Sequence, residues 1–159
     1  MNSTIQILNP LFIESGYKFV KTKKTWIKQN DDIIVVCQYQ KSKFSNNFFI
    51  NLGIYFKYGN NSRKKSVLAE ECHLTSRYSR IFEDFSADNI KDDIFKNPKE
   101  LSDELKQTTD KIKEGLLPLL ENMLDINYFK NNLSNYPNED WWLRNITREE
   151  FYYILDEMG

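Results

Sequence analysis

Histidine occurs once in this chain, at His73, and cysteine only twice, at Cys37 and Cys72. Two cysteines are too few for a disulfide framework, and one histidine with two cysteines cannot build a structural zinc site without help from carboxylates. No apolar run is long enough to cross a membrane. The N-terminal stretch MNSTIQILNPLFIESG has neither a basic start nor a sustained apolar core, so it does not read as a secretory signal. No Gly-rich phosphate loop and no Gly-flanked Ser or Cys elbow appears. The formal net charge of −1 argues against a general nucleic-acid binder, which carries a basic face. Together these absences point to a cytoplasmic protein with no membrane partner, no metal and no cofactor.

What is present fits one folded domain. With 159 residues, 40% hydrophobic and 28% charged, the chain can bury a single core. Aromatic residues reach 14%, a level that supplies large buried areas and often leaves rings on binding surfaces.

The order of elements follows from periodicity. Ser3 starts a helix with Gln6 placed to return the capping bond, Ile5, Leu8, Leu11 and Phe12 share one face, and Gly16 ends it. Pro10 either kinks that helix or marks a restart capped by Asn9. From Tyr17 the period becomes two. Tyr17–Val20 and Thr25–Gln29 are short strands, and Asn30-Asp31-Asp32 is a turn. Ile33–Lys41 and Phe48–Lys57 are the two strong strands, joined by a loop around Ser45-Asn46. Pairing Cys37 with Leu52 and Val35 with Ile54 aligns their apolar rows and sets Gln38 opposite Asn51 and Gln40 opposite Phe49. A slip by one residue would split the core row. Gly53, alone inside a strand, marks a bulge or a close approach by another backbone.

After a polar loop at Gly59–Ser66 comes ECHLTSRYSR, which holds the histidine. It reads as a strand, with Cys72 and Leu74 facing the core and His73, Thr75 and Arg77 facing away. A linker follows at Glu83–Lys96, and Asn97-Pro98-Lys99-Glu100 is a helix start. The stripe Leu101, Leu105, Ile112, Leu116, Leu119, Leu120 and Met123 suits a long helix lying across a sheet, with a kink expected ahead of Pro118. Asn135–Glu139 reads as a loop. Thr147 and Glu150 form a capping box, with Ile146 and Phe151 as its staple, for a last helix to about Asp156. The fold expected is α+β: an antiparallel sheet of about four to five strands with the N-terminal and long C-terminal helices on one face. Residues 1–135 would form the domain, and 136–159 a C-terminal extension packed on it.

Three words carry a resemblance: QKSKFSNNFFINLGIYF at Gln40–Phe56, CHLTSR at Cys72–Arg77 and, before them, GYKFVKTKKTWIKQNDD at Gly16–Asp32. Together they resemble the bacterial family catalogued as domain of unknown function 4304, from the first helix through the long one. The resemblance brings no reaction and no catalytic residues. Some small bacterial domains of related kind serve as antitoxin or immunity proteins, which is an analogy only.

Two functional readings follow. In the first, the chain is a non-enzymatic protein-binding module, in its sharpest form immunity- or antitoxin-like. Its recognition face would be a polar and aromatic sheet surface built from Trp26, Gln38, Gln40, Phe49, Asn51, Tyr55, His73 and Arg77. In the second, it is a small enzyme or anionic-ligand binder, with His73 as acid–base group and Arg77, about 13 Å away along the strand, as anion anchor. The plain alternative to both makes His73 and Arg77 structural. Trp141-Trp142 divides in the same way, with one ring expected over the core and the other near the surface.

Overall fold

The computed structural model describes residues 3–41, 43, 48–82 and 103–158. The linker at Glu83–Lys96, the Asn97-Pro98 helix start and the Ser45-Asn46 loop lie outside them. Among the described residues there are six strands: β1 (Lys18–Val20), β2 (Thr25–Gln29), β3 (Ile33–Lys41), β4 (Phe48–Phe56), β5 (Leu74–Arg77) and β6 (Trp142–Leu143). They form one sheet in the order β1-β2-β3-β4-β5-β6, and every neighbouring pair is antiparallel. The expectation of four to five strands therefore falls short by β6. Two residues are too few to show an alternation, so its periodicity was silent. The β3–β4 register is the expected one, with Cys37 opposite Leu52 and Gln38 opposite Asn51.

Helix α1 spans Ser3–Glu14 and runs through Pro10. Gln6 and Pro10 are both exposed, so the carbonyl that Pro10 leaves without a helical donor lies on the solvent side. Asn9 does not restart the helix. Its Oδ1 accepts from Trp26 Nε1 at 2.9 Å, tying α1 to β2. The end is a Schellman arrangement: Gly16, at φ +91°, donates to the Ile13 carbonyl and Tyr17 to that of Phe12.

A short turn of helix, α2 (Tyr78–Ile81), follows β5 directly. Helix α3 (Asp103–Lys111) passes into a π-helical turn at Ile112–Leu116 and then α4 (Leu117–Asn122). Ahead of Pro118, where a kink is expected, the chain makes this π turn and continues as helix. A wider turn accommodates a position that cannot donate to the carbonyl four residues back. Gly115, in that turn, gives room to the Phe82 ring: a Cβ there would lie 2.9 Å from it. Helix α5 (Ile126–Asn131), capped by Asp125, had no counterpart in the sequence reading. Helix α6 (Arg148–Glu157) is capped by Thr147, whose hydroxyl accepts from the Glu150 N–H at 3.1 Å.

Both faces of the sheet are buried, over different areas. On the helix side, Val35, Cys37, Ile50, Leu52, Ile54 and Leu74 pack with Leu8 and Phe12 of α1, Ile112 and Leu116 of the π turn, Leu120 of α4, Phe129 of α5 and Phe151 of α6. On the other side, Ile27, Ile34, Val36 and Tyr55 form a second cluster with Val67, Ala69 and Cys72. Those last three come from segment 57–73, which folds back over one half of the sheet. Cys72 thus joins this second cluster and not the core that holds Leu74. The chain is still in a 3-10 turn at Ala69–Glu71 and enters β5 only at Leu74, so strand alternation does not reach back to Cys72. No helix among the described residues is long and apolar enough to cross a membrane.

Candidate functional site

The half of the sheet that segment 57–73 leaves open carries a groove of about 620 Å3. Its floor is Gln38 and Gln40 of β3, Asn51 of β4, and Thr75 and Arg77 of β5. Its walls are Ala69 and Glu70 of the folded-back segment, Ser79 and Arg80 of α2, and Trp142 and Arg144 at β6. Strand pairing makes the floor continuous, because Gln38, Asn51 and Arg77 stand side by side across three strands.

The floor is a hydrogen-bonded chain of side chains. Asn51 Nδ2 donates to Gln40 Oε1 at 2.7 Å and to Gln38 Oε1 at 3.3 Å. Its Oδ1 accepts from Arg77 Nε at 3.0 Å. The Arg77 guanidinium also lies over the Phe49 ring, 4.6 Å from its centroid. Arg80 is held in the same way over Trp142, at 4.4 Å. Such stacking fixes a planar cation while leaving its edge donors free.

Arg144 is placed by the backbone. Its N–H donates to the His73 carbonyl at 2.8 Å. Asn145, at φ +68°, turns the chain and donates from Nδ2 to the carbonyls of Glu70 and Cys72 at 2.8 and 3.2 Å. Asparagine tolerates that left-handed conformation better than most residues. Among the described residues, three arginines and one carboxylate, Glu70, therefore line the groove. The ion pairs formed among the described residues, Lys28–Glu121 and Lys64–Glu71, involve none of the three.

Of the residues expected on this face, Gln38, Gln40, Phe49, Asn51 and Arg77 come together and three others do not. Trp26 is fully buried on the helix side, stacked on Phe12 at 4.3 Å. It pairs with Cys37, so it shares the face of Cys37, while Thr25 is the β2 residue opposite Gln38. Tyr55 is buried in the second cluster, beneath the fold-back segment.

His73 is not on the open face either. Its Nδ1 accepts the Phe56 N–H at 3.1 Å, its own N–H donates to the Ile54 carbonyl, and its ring stacks on Tyr55 at 4.4 Å. Burial, and then the nearby Lys64 charge, pull its pKa down from 6.5 to about 4, so it is neutral near pH 7. It completes the edge of β4 and does not pair with Arg77 across a site. Burial also pushes the Cys37 and Cys72 thiols up, away from the thiolate form a nucleophile requires.

Sequence reasoning missed Glu70, Arg80 and Arg144 as neighbours of Arg77. Arg80 lies in the same ten-residue word, but only the change from strand to helical turn after Arg77 brings it alongside. The word WWLR contained the remaining clue. A short strand puts Trp142 and Arg144 on one face and Trp141 on the other. Trp141 is buried and Trp142 is 37% exposed, the division expected of that pair.

The fold and groove define a class: an antiparallel α+β domain, helix-covered on one face and half-open on the other. A family model, Domain of unknown function (DUF4304), matches residues 8–122. That is well over half of the chain, and the protein belongs to this family. No curated protein and no solved structure matches the chain.

Proposed function

We propose that the chain is a non-enzymatic protein-binding module of the bacterial cytoplasm, which receives its partner in the groove on the open half of the sheet. The observation that carries this reading is the hydrogen-bonded floor Gln38–Gln40–Asn51–Arg77 beside the exposed Trp142. Amides, arginine and an exposed indole in one concave patch suit specific contact with another protein. In its sharpest form the partner is a toxin that the domain neutralises. The enzyme alternative is weakened by the position of His73. With that ring turned into the fold, His73 does not stand beside Arg77 as the acid–base group that reading needs, and Ser76 is buried.

Site-specific photo-cross-linking tests the reading. A photoreactive residue replacing Gln38, on the groove floor, should trap a discrete protein in the producing cell. The same residue replacing the exposed Lys113, in the π turn, should not. Identification of the trapped protein and reconstitution with it in purified form complete the test. If Gln38 traps no protein, or if only nucleic acid is trapped, the reading is wrong.

A further inference from the structure

We propose that the partner engages this groove with an acidic segment, its carboxylates paired with Arg77, Arg80 and Arg144; the inference rests on the protein-binding reading above. Charge balance in the groove is the first reason. Among the described residues, three guanidinium groups share it with one carboxylate, Glu70, although the whole chain carries a net charge of −1. The positive charge is therefore local and not a property of the surface at large.

The second reason is that two of these cations are held in place with no ion pair among the described residues. Asn51 occupies the Nε of Arg77, and the Phe49 ring covers its face, so among the described residues the two terminal amino groups remain for an incoming acceptor. Trp142 does the same for the face of Arg80. Planar, oriented guanidinium groups favour carboxylates through paired N–H donors, and their side-chain freedom is already restricted before binding.

The third reason is extent. A groove of about 620 Å3, spanning β3 to β6, far exceeds what one small anion fills and suits a length of chain. Recognition of acidic motifs by clustered arginines is a general mode of peptide binding. A nucleic-acid strand fits less well, because the indole face that would stack on a base is taken by Arg80, and Glu70 would face the phosphates.

Fluorescence anisotropy on the intact chain tests this. The probe is a short labelled peptide of alternating Asp and Gly, compared with the same peptide carrying Asn for Asp and with a single-stranded oligothymidylate of equal length. The acidic peptide should bind at least about tenfold more tightly than the neutral one, and more weakly as salt is raised. Arg77→Gln and Arg144→Gln should each weaken it by about tenfold, with Lys113→Gln unchanged. Thermal melts check that each variant is folded, and Arg80→Gln, on an exposed turn, provides a second variant least tied to the sheet. Equal binding of the neutral peptide, tighter binding of the oligothymidylate, or full affinity in folded arginine variants would overturn the inference. These failures are distinct from failure of the broader reading. A protein trapped at Gln38 that contacts the groove through a neutral segment removes the acidic inference alone, whereas no trapped protein removes both.

Discussion

Gly53 lacks a side chain because Cys72 occupies its space. A Cβ built there would fall 2.5 Å from the Cys72 Sγ and 2.8 Å from its Cβ, so the fold-back segment sits directly on the strand. Gly53→Ala should therefore lift that segment and cost about 1–3 kcal/mol in chemical denaturation. An unchanged midpoint would mean that segment 57–73 yields without loss. His73 works on the same scale through titration. Its pKa is about 6.5 when unfolded and about 4 when folded, so between these values the unfolded chain binds the extra proton. The contribution is present above pH 6.5 and is lost as pH falls toward 4. From pH 7 to pH 5 the protein should lose about 2 kcal/mol through this group. His73→Gln should be less stable at pH 7 but flatter over that window. Parallel pH slopes for the two proteins would remove His73 as the cause. This reverses the expectation that His73 faces away from the core, since its ring is buried. Truncation to Ala would leave the Phe56 N–H without its acceptor, at a cost of about 1–3 kcal/mol.

Among the elements, β5 separates fold from site within four residues. Leu74 is fully buried on the helix side, while Arg77 is exposed on the other. Leu74→Ala should cost roughly 2–5 kcal/mol, and Arg77→Ala well under that, with its effect on partner binding instead. Equal thermal shifts for the two would make Arg77 structural. Alternation made this pair legible, as it did the β3–β4 register and the helix-side core. It failed where a second requirement acted. Ile33–Cys37 is a continuous apolar run, the mark of a strand buried on both faces, and an alternation built on Val35 and Cys37 alone leaves Ile34 and Val36 without a partner surface. Their partners, Val67, Ala69 and Cys72, lie in a segment with no period of its own. The same limit misplaces Trp26, because only the β2–β3 register, Trp26 opposite Cys37, decides its face. The site was legible as far as β3, β4 and β5 supply it. Glu70 and Arg80 reach it by the turns on either side of β5, and Trp142 and Arg144 come from a distant part of the chain; no local pattern announces such meetings.

At the scale of the molecule, the family match stops at residue 122, but the packing does not. Trp141, Phe151, Leu155 and Met158 are buried in the helix-side core, and β6 extends the sheet by pairing Leu143 with Leu74 and Trp142 with Thr75. The same segment supplies Trp142 and Arg144 to the groove. Residues 136–159 thus serve stability and the proposed site together, and the division into a domain at 1–135 with an extension becomes a question of energy. Removing a buried aromatic costs about 3–5 kcal/mol, and a domain of this size has only about 5–15 kcal/mol in total. A chain ending at Asn135 gives up Trp141 and Phe151 at once, and with them the cover over Phe56, whose ring meets that of Phe151 edge-on at 5.7 Å. It should therefore lose its cooperative thermal transition and expose apolar surface that binds a hydrophobic dye. Trp142→Ala in the full chain should do neither, because that ring is 37% exposed, yet it should free Arg80 and weaken groove binding. A shortened chain that still melts cooperatively, with the aromatic circular dichroism of a packed interior, would show that residues 1–135 fold alone. The C-terminal segment would then belong to the groove more than to the fold.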